Sequence, residues 1–85
     1  MPGVNVTDAV ERFKREGGKH AEELVKLLKT ITEFAPESGE KIPERPFARR
    51  IGRELKIQEK EISVEVFYTF DDDHVVWLMF KWNIS

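Results

Sequence analysis

Asp71, Asp72, Asp73 and His74 form the densest cluster of reactive side chains in the 85-residue sequence, set between two strongly apolar runs. Three carboxylates and an imidazole could hold a metal. A hard cation, however, needs several oxygens converging from a scaffold, and adjacent residues in a tight loop point apart. Aspartate is common in turns because it bonds its own backbone and tolerates left-handed dihedrals. We therefore read "DDDH" as a hairpin tip and assign no metal and no cofactor. His20 and His74 both stand in polar surroundings, and neither reads as a metal ligand. There is no cysteine, hence no thiolate nucleophile, disulfide or thiolate zinc site. No G-x-S-x-G, P-loop or H-E-x-x-H pattern occurs.

Two further groups could make contacts. Residues 41–56, "KIPERPFARRIGRELK", carry six basic residues against two acids, a local +4 in a chain of net charge −2. Arg45, Arg49, Arg50 and Arg53 would be its nucleic-acid contacts, and its alternative is a solvated stretch paired with the chain's own carboxylates. The second group is apolar. In "ISVEVFYTF" and "VVWLMFKWNI", alternate residues Ile62, Val64, Val66, Tyr68, Phe70 and Val76, Leu78, Phe80, Trp82, Ile84 fit a core face. Phe67, Trp77 and Met79 then share the opposite face. An apolar patch there is either covered by the N-terminal segment or receives a protein partner.

The surrounding periodicities say what would position these groups. Asp8 and Glu11 have capping-box spacing at the start of a helix. Gly17-Gly18 reads as a stop or hinge. Ala21, Leu24, Leu28, Ile31 and Ala35 then recur at helical spacing. "PESGEKIPERP" is too rich in proline for a helix or ladder. "FARRIG" fits one helical turn between Pro46 and Gly52. The period then changes to 2. The expected fold is α+β: two N-terminal helices packed on a three-stranded antiparallel meander. Residues 1–85 make one domain, with a helical part at 7–35, a loop at 36–46 and a sheet at 53–84. Matching core to core across the hairpin places Phe70 opposite Val76, Tyr68 opposite Leu78 and Val66 opposite Phe80. On the other face it places Phe67 opposite Met79 and Glu65 opposite Lys81.

Composition sets the outer bounds. With 40% hydrophobic and 35% charged residues, the chain has the profile of a small water-soluble domain. A chain of this size buries roughly 60–65% of its unfolded surface. No apolar run is long enough to span a bilayer, and "MPGVNVTDAVERF" has no signal-peptide pattern. The expected location is cytoplasmic, with no membrane contact.

The segment "PFARRIGRELKIQEKEISVEVFYTFDDDHVVWLMFKW" resembles the C-terminal half of RelE/ParE-like toxins, especially their HigB-like, phage-derived branch. The resemblance covers roughly residues 20–82: a helical part, a basic turn, the strands "GRELKI" and "VEVFYTF", an acidic turn, and "HVVWLMFKW". Glu65 stands where the family has a strand arginine, and the N-terminal strand is reduced to "GVNV". The resemblance implies a toxin-antitoxin protein, a possible mRNA endoribonuclease or degenerate relative acting on ribosome-bound mRNA or on a protein target. It implies Arg53, Tyr68 and Lys81 as the catalytic positions. Alternation places Tyr68 on the core face, and the register places Lys81 beside Glu65. The alternative is a non-enzymatic interaction module or phage-type inhibitor binding through Phe67, Trp77 and Met79. The partner would be an antitoxin, a target protein or a second copy of the chain, with RNA or the ribosome as the nucleic-acid option.

Overall fold

A computed structural model describes residues 6–85. Helix α1 (Val6–Phe34) leads through a 3-10 turn at Pro36–Ser38 into β1 (Glu40–Ile42), β2 (Arg45–Ile57), β3 (Lys60–Phe70) and β4 (Val75–Ile84). The strands form one antiparallel sheet in the order β1-β2-β3-β4. The α+β layering is as expected, but one helix and four strands replace the two helices and three strands. Residues 3–5 of "GVNV" lie outside the described residues, and Val6 is already helical. Asp8 accordingly sits in the first turn, where a carboxylate favours the positive end of the helix dipole.

The two glycines bend the helix without ending it. Only Gly18 leaves helical geometry, at φ 64° and ψ −143°. That is close to a region used essentially by glycine alone. One such residue turns the axis and requires no loop. Val10 and Phe13 before the bend, and Ala21, Leu24, Val25 and Leu28 after it, thereby join one core. The bend also brings Gly17 close to the sheet, where an added Cβ would stand 3.4 Å from Ile84 Cδ1. At Gly18 an added Cβ would meet nothing within 4 Å. Gly18→Ala should therefore destabilise by backbone strain alone, about 1–3 kcal/mol. Denaturant titration would measure this, and D-alanine introduced by chemical synthesis should restore stability. If the L- and D-alanine proteins are equally stable, the strain assignment is wrong.

The remaining differences lie in the segment before residue 53. The expected loop at 36–46 contains the 3-10 turn and β1, and the expected helical turn at "FARRIG" is part of β2. Proline is tolerated at Pro46 for a local reason. The ladder to β3 begins at Arg49, and the pairing with β1 shifts register between Lys41 and Ile42. No regular ladder bond then requires an N–H at Pro46.

The helix lies over β3 and β4. Phe13, Leu28, Thr32, Val66 and Tyr68 are the largest fully buried side chains. Phe13 stacks at an angle on Phe80 (5.4 Å between ring centroids) and Trp82 (5.6 Å). The buried Thr32 hydroxyl donates back to the Leu28 carbonyl (2.9 Å) and accepts from Trp77 Nε1 (3.2 Å).

The β3–β4 register changes part-way. Val66 lies opposite Phe80, Glu65 opposite Lys81 and Phe67 opposite Met79, as expected. Nearer the tip, Tyr68 pairs with Trp77, Thr69 with Val76 and Phe70 with Val75. The expected pairs Phe70–Val76 and Tyr68–Leu78 do not form. Leu78 is the extra residue of a β-bulge, and the bulge moves Val75 and Trp77 to the helix side. The tip explains the offset. Asp71 Oδ1 accepts from the backbone N–H of Asp73 (2.8 Å) and of His74 (2.7 Å), and Asp71 N–H donates to the His74 carbonyl. These bonds close a four-residue loop at 71–74, and the two bonds to Oδ1 hold the Asp71 carboxyl below its usual pKa.

Candidate interaction surface on the outer sheet face

Alternation along β2 divides the basic residues between two faces. Arg49 lies opposite Tyr68, Arg53 opposite Val64, Arg50 opposite Phe67 and Gly52 opposite Glu65. Arg49 and Arg53 therefore point to the helix side and Arg50 to the outer side. Arg45 starts the strand, exposed and opposite Ile42. The Arg49 guanidinium donates to the carbonyls of Glu37 (2.6 Å) and Gly39 (3.1 Å) and lies 5.7 Å from the centre of the Phe70 ring. Arg53 is exposed and donates to the Gly52 carbonyl (2.7 Å). The four arginines expected at a nucleic-acid contact thus make no single patch.

Of the three positions expected for catalysis, Tyr68 stands apart from the other two. Tyr68 is fully buried, and its hydroxyl donates to the Pro36 carbonyl. Burial raises its pKa, against the opposing influence of the Gly39 backbone and the Arg49 guanidinium. A phenol held protonated and bonded to backbone is a clamp on the 3-10 turn, not a proton acceptor near neutral pH. By strand alternation Arg53 and Lys81 leave opposite faces of the sheet, yet both border one shallow hollow.

Gly39 completes this clamp, because a Cβ there would overlap the Tyr68 hydroxyl and touch Arg49 Cβ at 3.0 Å. Gly39→Ala should destabilise by about 1–3 kcal/mol through overpacking. Tyr68→Phe should cost about 1–2 kcal/mol through the lost hydrogen bond. Because the phenylalanine removes the overlapping oxygen, the double variant should be more stable than the sum of the two effects. Strict additivity in a double-mutant cycle would mean that Gly39 is not reserved for the hydroxyl.

Among the described residues the outer face carries no second layer of secondary structure. Its half nearer β1 and the base of the hairpin is ionic. Arg50 Nε is 2.5 Å from Glu65 Oε2, and Arg50 Nη1 is 3.7 Å from Glu40 Oε1, so one guanidinium links β1, β2 and β3. It passes over Gly52, where a Cβ would sit 3.2 Å from Nη2. Glu65 therefore pairs with Arg50 across β2, although Lys81 lies directly opposite it on β4. Lys81 Nζ instead sits 5.8 Å from the centre of the Phe67 ring. Arg50, Gly52, Arg53, Ser63, Glu65 and Lys81 are among the residues that line a shallow, open hollow here. Among the described residues no group of three His, Asp or Glu side chains is placed to hold a metal ion.

No family model, curated protein or solved structure matches this chain.

The half of the outer face nearer the hairpin tip is apolar. Phe67 is half-buried beside Met79, and Val76, Leu78 and Met79 are 53%, 51% and 47% exposed. Ala48 on β2 is buried although it is not part of the core cluster beneath the helix. Trp77 is not on this surface: it packs on the other side of the sheet, stacked on Phe80 with 6.0 Å between centroids. The surface expected from Phe67, Trp77 and Met79 is thus Phe67, Met79, Val76 and Leu78. Strict alternation hid Val76 and Leu78 by assigning both to the core. The signal that could have found them is Asp71, whose turn-forming side chain favours a four-residue tip. No helix among the described residues is long and apolar enough to cross a membrane.

Proposed function

We propose that the chain is a non-enzymatic protein-interaction module that binds its partner through the outer face of the sheet. One observation carries this reading: an uncovered apolar surface of Phe67, Val76, Leu78 and Met79 adjoins an ionic surface whose central arginine is already neutralised by Glu65 and Glu40. Contiguous exposed apolar residues with a polar border are the usual make-up of a protein-binding patch. Catalysis of the toxin type would need at least two free cations converging on one phosphate; of the cations around the hollow, Arg50 is paired with Glu65 and Glu40 and Lys81 lies over the Phe67 ring.

The test replaces the patch without touching the core. A Leu78→Asp/Met79→Asp variant should keep its cooperative melt within a few degrees of the parent, because both side chains are half exposed. It should lose any stoichiometric complex that the parent protein forms. Inducible expression supplies the competing outcome. Growth arrest with ribosome-dependent mRNA cleavage, abolished by Lys81→Ala and retained by Leu78→Asp/Met79→Asp, would replace this proposal with the ribonuclease reading.

A further inference from the structure

We infer that β4 pairs antiparallel with β4 of a second copy, Trp82 on Trp82, so that two four-stranded sheets become one of eight strands. This does not rest on the outer-face reading, because it uses the edge of the sheet and not its face.

The two edges of the sheet are built differently. β1 is three residues long, with a register shift and prolines at positions 43 and 46 close by. Short, irregular, proline-flanked strands are the usual protection against edge-to-edge pairing. β4 is ten residues long, has no proline and carries one charge, Lys81. Its bulge at Leu78 interrupts the edge towards the tip and leaves residues 79–85 as the regular stretch.

The direction of the unpaired backbone groups follows from one observed pair. Ser85 and Glu61 exchange both backbone hydrogen bonds, N–H of Ser85 to the Glu61 carbonyl at 2.9 Å and N–H of Glu61 to the Ser85 carbonyl at 3.2 Å. In an antiparallel ladder such pairs alternate with pairs whose groups point away. Asn83 and Lys81 therefore turn their backbone groups towards β3. Phe80, Trp82 and Ile84 turn theirs to the edge that no described strand covers.

Side chains then select the register. A two-fold axis through Lys81 would set two lysines against each other, which is unfavourable across a strand pair. An axis through Trp82 sets Phe80 against Ile84 of the second copy and Trp82 against Trp82 on the helix side. On the outer side it sets Lys81 against Asn83. Apolar faces apolar, polar faces polar, and no like charges meet. Phe80, Trp82 and Ile84 of each copy contribute their outward N–H and C=O groups to three reciprocal pairs. An isologous contact of this kind closes on itself as a dimer.

Light scattering on a size-exclusion column tests the inference. The protein should elute with twice its 10.0 kDa chain mass. Asn83→Lys places a lysine opposite Lys81 at two symmetry-related points and should weaken the dimer about tenfold. Asn83→Glu instead sets a carboxylate opposite Lys81 at both points and should strengthen the dimer. Backbone amides of Phe80, Trp82 and Ile84 should lose hydrogen-exchange protection on dilution, while those of Ile62 to Tyr68 keep theirs. A monomer at millimolar concentration would overturn the inference. So would a dimer indifferent to the charge at position 83, or amide protection at 80, 82 and 84 that does not depend on concentration.

Discussion

Phe13→Ala should bring the domain close to its unfolding threshold, lowering stability by about 3–5 kcal/mol. An 85-residue domain has about 4–13 kcal/mol in total. Phe13 has no exposed surface and touches both Phe80 and Trp82. It is the principal aromatic anchor of the helical segment before the Gly18 bend, so the cavity would open between that segment and β4. The expected signature in denaturant is a lowered midpoint and, in hydrogen exchange, early loss of protection around residues 6–16. A shift below about 1 kcal/mol would show that the segment collapses onto the sheet without it, filling the cavity.

Trp77→Ser should cost about 3 kcal/mol, at the lower end of the range for removing a large aromatic side chain because Trp77 keeps part of its surface in solvent. The variant loses the stacking on Phe80 and the Nε1 bond to the Thr32 hydroxyl. Thr32 retains its bond to the Leu28 carbonyl and so is not orphaned. Trp77→Phe keeps most of the apolar contact and loses only the hydrogen bond, so it should cost about 1 kcal/mol. The pair of variants separates core from surface. If Trp77→Ser left the melting temperature unchanged while abolishing a complex, Trp77 would belong to the binding surface after all, and the bulge at Leu78 would be misplaced.

The helical stripe, the alternation of β3 and the Glu65–Lys81 and Phe67–Met79 pairs were legible because periodicity is strong there and one face is buried. The tip half of β4 was not. In "VVWLM" every residue is apolar, so a shift by one position leaves the hydrophobic pattern unchanged and the period cannot choose between registers. The pairings themselves contain the resolution: Phe70–Val75 and Val66–Phe80 differ by one in their residue sums, and one bulged residue must lie between them. "RPFARR" misled for another reason. Its proline and arginines suit a helical turn locally, but β3 offers an open ladder and the long-range pairing prevails. The basic island is divided between two faces because clustering along the chain is not clustering in space once the segment is extended. A strand sends neighbours to opposite faces, whereas a helical turn would have gathered Arg49, Arg50 and Arg53 on adjoining positions.

The sheet is a simple meander, but the helix that covers it rests on its last two strands. During synthesis α1 is therefore made long before its docking site. Until residues 75–84 have left the ribosome, the stripe containing Phe13 and Leu28 has no permanent cover, whereas β1 to β3 can already zip by neighbouring hairpins. Closure of the domain is thus a long-range step between the beginning and end of the described chain, following cheaper local steps. Its rate should respond most to changes that alter helix docking on β4, and least to changes in the β1–β2 hairpin.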